Sequence, residues 1–391
     1  MSHTPHKAKR SEGWMGLKRG HRARPLEWIA ERVIFLVSMS AIVTTLLIFV
    51  FIARESVPIF LQREDSSHPT TFIPVEEASK HSAEELAKYL DMKADEVKAL
   101  DADTLKLMLE VKLDQAKEAP VDKDAQINTT LWRYLIKPHQ WTGYDKPSYI
   151  WQPIGSIHKY NIMPLVVGSL KVTFVGLLFA VPLALLAALY VSQLAAPRTR
   201  EWLKPTIELL SGIPSVVVGT FALLVLATFL QSIFGYQTRL NAFVAGIALG
   251  FSVIPLVFSV AEDALTSVPR SYVQAALALG ASKWKAAWQI VLPAALPGVF
   301  ASVVLGFGRA IGETMIVLMV TSASVMSWSI FDGTRSLTAT IAAEMAEAVA
   351  GGHHYRMLFM LGAILFVVTF VTNMIGDVVI HRLKGRLEGK A

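Results

Sequence analysis

The chain has 391 residues, 53% of them hydrophobic, and a mean hydropathy of +0.45. Lysine and arginine outnumber aspartate and glutamate by 37 to 31, a net charge of +6, and there is no cysteine, which excludes disulfides and thiolate chemistry. Apolar runs long enough to cross a bilayer exclude a soluble multidomain protein and point to an integral membrane protein.

Residues 1–27 are polar and basic, carrying Lys7, Lys9, Arg10, Lys18, Arg19, Arg22 and Arg24. Directly before an apolar run, such a cluster marks the cytoplasmic side rather than a nucleic-acid arm. The run itself, 28–53, exceeds a signal-peptide core and lacks a small-residue cleavage site, so it reads as an uncleaved first span. Residues 54–160 form a polar insertion expected outside the membrane. Within it, Ser82, Ala83, Glu84 and Glu85 fit a capping box, with Leu86, Leu90, Val97 and Leu100 following at broadly helical spacing. Leu105, Leu109, Val111 and Leu113 suggest a second helix after Asp101 or Asp103, ended by Pro120. A docking surface and an insertion without a dedicated role both fit this module. Trp132, Trp141, Tyr144, Tyr149, Trp151 and Tyr160 then accumulate just before the next span, as expected at a membrane interface.

The second span is expected over 163–191, kinked by Pro182. A short basic loop with Arg198, Arg200 and Lys204 leads to the third, 207–234, interrupted at Gly212, Ile213, Pro214 and Ser215. The fourth covers 240–260. A polar loop, 262–289, precedes the fifth, 298–321. Residues 322–355 are expected outside, with a short helix over 336–349, and the sixth span is 357–380. The adjacent His353 and His354 read as a solvated loop pair rather than a metal site. With six spans, the basic stretches (N-terminus, second-to-third loop, fourth-to-fifth loop and C-terminus) all fall on one side, as the positive-inside rule requires. Arg239 is the exception.

The fifth span contains GFGRAIGETMIVLMV at 306–320. Arg309 and Glu313, four residues apart, share a helix face. An ionised side chain in mid-bilayer costs at least ~2.5–3.5 kcal/mol and normally faces a bundle interior or a polar pathway. Two readings follow: a structural ion pair that locks two helices, or an anion pathway in which Arg309 meets the substrate's charge and Glu313 holds it. Gly308 and Gly312 form a small-xxx-small pair expected to let another helix approach closely. Phosphate-cradling GxxxxGK[ST] loops, HExxH and GxSxG are all missing, so nothing argues for an enzyme active site or a cofactor.

In the fourth-to-fifth loop, Gln274 to Leu279 are good helix formers, Gly280 permits a turn, and Trp284, Ala287 and Ile290 suggest an apolar stripe on a second short helix. Exposed apolar residues there need a partner groove or a lipid surface. The loop resembles the coupling segment of ABC importer permeases, AA-x3-G-x9-I-x-L-P, at Ala275, Ala276, Gly280, Ile290, Leu292 and Pro293, with Gln274 standing where that family usually has glutamate. MPLVVGSL at 163–170, LLSGIPSVVVGTFALLVLA at 209–227 and GFGRAIGETMIV at 306–317 narrow the resemblance to phosphate-specific ABC transporter permeases of the C type, over about 163–383.

That resemblance implies an all-α polytopic membrane protein with six transmembrane helices and a helical extracytoplasmic insertion. It implies a permease core over 161–383, coupling loop 262–295 and cytoplasmic tails at 1–27 and 384–391. It further implies a second permease subunit, two cytoplasmic ATP-binding subunits and an extracytoplasmic phosphate-binding protein. Arg309, Glu313 and Thr314 would lie on the phosphate path, and Gln274 through Pro293 would couple to the ATPase. A permease for sulfate or molybdate, and a membrane scaffold or sensor built on the insertion, are the competing expectations.

Overall fold

The structure, a computed structural model, describes residues 25–61, 127, 129–155, 157–321 and 325–387, together with 86, 101, 104–109 and 111. The capping box at 82–85 lies outside the described residues. Residues 104–109 are helical, and Asp101 Oδ1 accepts from the Thr104 amide at 2.7 Å, so the first of the two candidate aspartates starts this helix.

The chain divides into two units, Met1–Phe51 and Ile52–Ala391. The described part of the first belongs to helix α1 (Pro25–Ser56), whose side chains from Ala30 to Phe51 are exposed. A helix of this apolarity and length is long enough to cross a bilayer. The second unit is helical except for one two-stranded antiparallel ribbon among its described residues, β1 (Trp151–Gln152) with β2 (Lys159–Tyr160). A short helix, α2 (Trp132–Ile136), precedes the ribbon.

The long elements of this unit are α3 (Met163–Leu189), α4 (Pro197–Leu209), α5 (Ser215–Phe234), α6 (Ala242–Thr266) and α7 (Arg270–Ala278). Then come α8 (Leu296–Ile311), α9 (Met315–Val320), α10 (Leu337–Glu344) and α11 (His353–Leu387). Five helices are long and apolar enough to span a membrane, and a sixth span is possible if the bent pair Lys283–Ala294 and Leu296–Ile311, at 72° to each other, counts as one. Helix α3 runs unbroken through Pro182 and widens into a π-type turn at Tyr190–Leu194.

Several boundaries differ from expectation. The break at Ile213 and Pro214 is present, but it ends one helix and starts another: residues 207–209 belong to α4, and the third span begins at Ser215. The fourth span continues to Thr266, so Glu262 is a helical residue, not the start of a loop. The fifth span is not one helix: α8 ends at Ile311, and Gly312 to Thr314 separate it from α9.

The core is an α3–α6 pair with α8 packed on it. Small residues set the approach, because backbones must come close where there is no hydrophobic drive between helices in lipid. A Cβ on Gly246 would stand 2.5 Å from Val175 Cγ1, and one on Gly250 would stand 2.7 Å from Phe179 Cδ1. Gly306 plays the same part for α8, where a Cβ would meet Val257 Cγ2 at 2.6 Å. The expected Gly308 and Gly312 pair does not do this: the nearest atom to a Cβ on Gly308 is Asn373 Oδ1 at 3.8 Å, and on Gly312 it is the chain's own Gly308 carbonyl. The rotational phase of the helix decides which glycines face a neighbour, and motif spacing does not carry that phase.

A second core gathers Ile59, Leu135, Trp151, Tyr160, Leu165, Leu337, Met357 and Leu361. Trp141, Trp151 and Tyr160 are buried, so three of the aromatics expected as an interfacial belt instead fill protein interior, while Trp132 stays exposed. His353 and His354 are also not a solvated loop pair. They open α11 and are half-buried, with His354 stacked on Tyr160 at 6.1 Å and its Nε2 3.5 Å from Glu344 Oε2.

Candidate functional site

Arg309 lies in the last turn of α8, and Glu313 in the non-helical turn that follows. Their side chains meet at 3.8 Å, Arg309 Nη2 to Glu313 Oε2. The two environments are unlike: the Arg309 side chain is 53% exposed, that of Glu313 8%. The carboxylate is therefore held in the protein while the guanidinium reaches outward. Thr314 sits in the same turn, and its hydroxyl donates to the Gly312 carbonyl at 3.4 Å.

Arg309 reaches into a cleft of about 810 Å³ between α5, α6 and the break before α5. Apolar walls come from Val217, Phe221 and Phe251, hydroxyls from Ser211, Ser252 and Ser259. Arg309 is the only charged residue among those lining it. Sequence reasoning found Arg309 but not the serines. Ser252, Pro255 and Ser259 recur at i, i+3 and i+7, one face of α6, a periodicity that marks two hydroxyls on a common stripe of an otherwise apolar helix. Glu313 and Thr314 do not line the cleft.

The segment after α6 folds as helix, glycine turn, helix. Gly280 has φ +85°, the left-handed region, and completes a Schellman cap on α7: Gly280 N donates to Leu277 O and Ala281 N to Ala276 O, both at 3.0 Å. Ser282 then caps the next helix, accepting from Lys285 N at 3.2 Å. Gln274 and Ala275 are exposed, as are Leu279, Gly280, Ile290 and Pro293, while Ala276 and Leu292 are half-buried. The expected stripe splits: Trp284 and Ile290 are exposed but Ala287, where a π-type turn over Ala287–Val291 begins, is buried.

At the same end, Glu262 is fully buried and salt-bridged on both oxygens. Arg200 Nη2 donates at 2.5 Å and Lys204 Nζ at 2.7 Å, and Thr266 Oγ1 donates at 2.9 Å. The hydrogen bond to Glu262 holds the Lys204 ammonium above its ordinary range, burial pulling the other way. These bonds pin α4 to the end of α6.

A family model described as "Binding-protein-dependent transport system inner membrane component" matches residues 161–385. The chain belongs to that family. It is a multi-pass membrane component of a transport system and not itself an enzyme. The permease is 35% identical over 222 residues to the probable ABC transporter permease protein YqgH of Bacillus subtilis, covering 56% of this chain and 72% of that one. It is 32% identical to the phosphate transport system permease protein PstC of Mesorhizobium japonicum, covering 60% and 77%, and 31% identical to PstC of Pasteurella multocida, covering 61% and 80%. Among solved structures, an inward-facing MetNI methionine ABC transporter aligns over 57% of this chain and 94% of that chain, with a TM-score of 0.44 and 17% identity.

Proposed function

We propose that this permease is the subunit through which an ATP-driven importer moves inorganic phosphate, with Arg309 as the residue that meets the anion. The observation that carries the reading is the exposed Arg309 guanidinium, the only charge among the residues lining the cleft, held by a buried Glu313. Guanidinium offers a planar fork of donors that matches phosphate oxygens. Glu313 partly neutralises Arg309, which weakens the hold on the anion enough for release. The names of the PstC relatives support phosphate over other oxyanions.

In this reading a second permease subunit faces the cleft and completes the path. Two ATP-binding subunits dock on Gln274 through Pro293 from the cytoplasm, and an extracytoplasmic phosphate-binding protein delivers the substrate. Both termini are cytoplasmic and residues 54–160 are outside. ATP is hydrolysed by the partner. Gln274, in place of the usual glutamate, keeps hydrogen bonding there without a charge.

The test is uptake of labelled phosphate in membranes with confirmed levels of the assembled complex. Arg309→Lys keeps the charge but loses the fork, and uptake should fall by roughly tenfold or more, since hydrogen bonds to charged groups contribute ~1.5–3 kcal/mol. The double variant Arg309→Met, Glu313→Met should assemble, because it removes the buried Glu313 carboxylate together with its half-exposed partner and leaves no uncompensated charge behind, and should not import. Full uptake by the double variant would overturn the pathway reading and leave the structural one.

A further inference from the structure

The turn between α8 and α9 leaves carbonyls without partners along the helix. Leu318 N takes the Thr314 carbonyl at 2.9 Å, but no described backbone amide takes that of Glu313. Instead Thr338 Oγ1 donates to Glu313 O at 3.0 Å from a different helix, 25 residues later. Thr338 is the second residue of α10 and is buried. Its one proton goes to the carbonyl, which has none to give, so the 3.1 Å contact between Ser336 Oγ and Thr338 Oγ1 must be donated by Ser336. Ser336 Oγ in turn accepts from Ala339 N at 3.1 Å, which caps α10.

Helix α10 is itself fixed at both ends. Leu337 N donates to Ser169 Oγ on α3 at 2.9 Å, and Glu344 is held by Trp151 and Arg335. The hydroxyl that reaches Glu313 is therefore presented from a rigid mount. A buried carbonyl left unpaired carries an uncompensated desolvation penalty, and a continuous α8–α9 helix would pair it with the Val317 amide. The Thr338 bond favours the broken form.

We propose that Thr338, oriented by Ser336, is a positioning residue for Arg309: by capping the Glu313 carbonyl it fixes the non-helical turn that keeps the Glu313 carboxylate beside the guanidinium. The inference rests on the reading of Arg309 as the anion contact. It assigns a transport role to a helix none of whose residues line the cleft.

The experiment uses the whole complex, co-expressed with its partner subunits, and reads maximal uptake of labelled inorganic phosphate per assembled complex. Thr338→Val removes the hydroxyl at nearly constant shape, and Thr338→Ala removes it without crowding should valine impair assembly. Both should lower uptake two- to tenfold, the range to which a hydrogen bond of about 0.5–1.5 kcal/mol converts. Thr338→Ser should restore most of it. In a Glu313→Gln background, where the carboxylate that the turn positions is already gone, Thr338→Val should cost less than twofold further. Full uptake by the valine and alanine variants, failure of serine to restore, or the same fold loss in both backgrounds would each overturn the proposal. Uptake lost in Arg309→Met but retained in Thr338→Val overturns this inference alone, whereas normal uptake in Arg309→Met overturns the reading on which it rests.

Discussion

Trp151 donates its indole N–H to the Glu344 carboxylate, 3.0 Å to one oxygen and 3.3 Å to the other, across 193 residues of chain. Arg335 Nη1 adds a 3.0 Å ion pair to the same carboxylate, and His354 Nε2 lies 3.5 Å from the oxygen that takes the shorter Trp151 bond. One acidic side chain thus ties the β-ribbon, α10 and the start of α11 together. Its burial pushes the Glu344 carboxyl above the usual carboxylate range, against the opposing pull of Arg335 and of the Trp151 bond.

That shift has a sign. A carboxyl whose folded pKa is raised binds more protons in the native state, so its ionisation costs stability as pH rises from the unfolded value through the folded one. Above that window the cost is complete, and below it the cost is absent. Glu344→Gln removes the titration. The difference in Tm between wild type and Glu344→Gln, measured on the detergent-solubilised complex, should therefore change as pH rises from the ordinary carboxyl value towards the raised folded one and flatten above it. A pH-independent difference would contradict the assignment. Trp151→Phe, which keeps the ring and loses the donor, should destabilise by about 1–3 kcal/mol, because it leaves the buried carboxylate short of a partner.

Glu262 offers a harsher case. Glu262 is the buried member, whereas Arg200 and Lys204 are 36% and 31% exposed and Lys204 keeps Asp263 at 3.2 Å. Glu262→Ala therefore removes the ties from α4 to the end of α6 without stranding a buried charge, and should sharply lower accumulation in the membrane. Glu262→Gln retains hydrogen bonding and should accumulate at a reduced level. Quantified protein in isolated membranes distinguishes the two, and wild-type levels for both variants would mean the cluster is dispensable.

Two glycines with the same helical context should behave in opposite ways. Gly246→Ala places a methyl against Val175 Cβ at 2.6 Å and the Gly176 amide at 3.1 Å, so the α3–α6 pair must separate. Overpacking of this kind costs about 1–3 kcal/mol. Gly308→Ala meets only Asn373 Oδ1 at 3.8 Å and gains up to about 1 kcal/mol of helix propensity. Thermal unfolding of the purified complex should show a lower Tm for the first and an unchanged or higher one for the second.

Gly280 is in the left-handed region with open space around a Cβ, so only backbone strain opposes substitution. Gly280→Ala should weaken the cap by about 1 kcal/mol and Gly280→Asn by less, since asparagine visits this region more readily. Gly280→Pro fixes φ near −65° and removes the amide that bonds Leu277 O, so it should uncouple uptake from ATP hydrolysis. Co-purification of the ATPase and ATP-dependent uptake are the measurements. Undiminished binding and transport in Gly280→Pro would remove this loop as the dock.

Because the chain has no cysteine, single introduced thiols report sidedness cleanly. Ile154→Cys, at an exposed site on the ribbon, and Arg198→Cys, at the start of α4, should react with membrane-impermeant reagents from opposite sides. Labelling from the same side would contradict the proposed topology.

The apolar runs, the break at Pro214 and the helix–glycine–helix segment were legible in the sequence because each is set by neighbours within a turn or two. Proline withholds an amide and glycine accepts a positive φ wherever they stand, and ~20 apolar residues are a span whatever they pack against. The Arg309 and Glu313 pair was legible for the same reason, as a spacing of four on a helix, and the two side chains do meet even though the helix breaks between them. Tertiary contact alone decided the rest. The Glu313 carbonyl, in the break after Ile311, takes its proton from Thr338, 25 residues on; Glu262 is buried where α4 returns to meet it, and Trp151 is buried in protein where Glu344 accepts its N–H. Such pairings depend on which faces of distant helices come together. That is fixed by close packing at Gly246, Gly250 and Gly306, whose rotational phase no local pattern in the chain records.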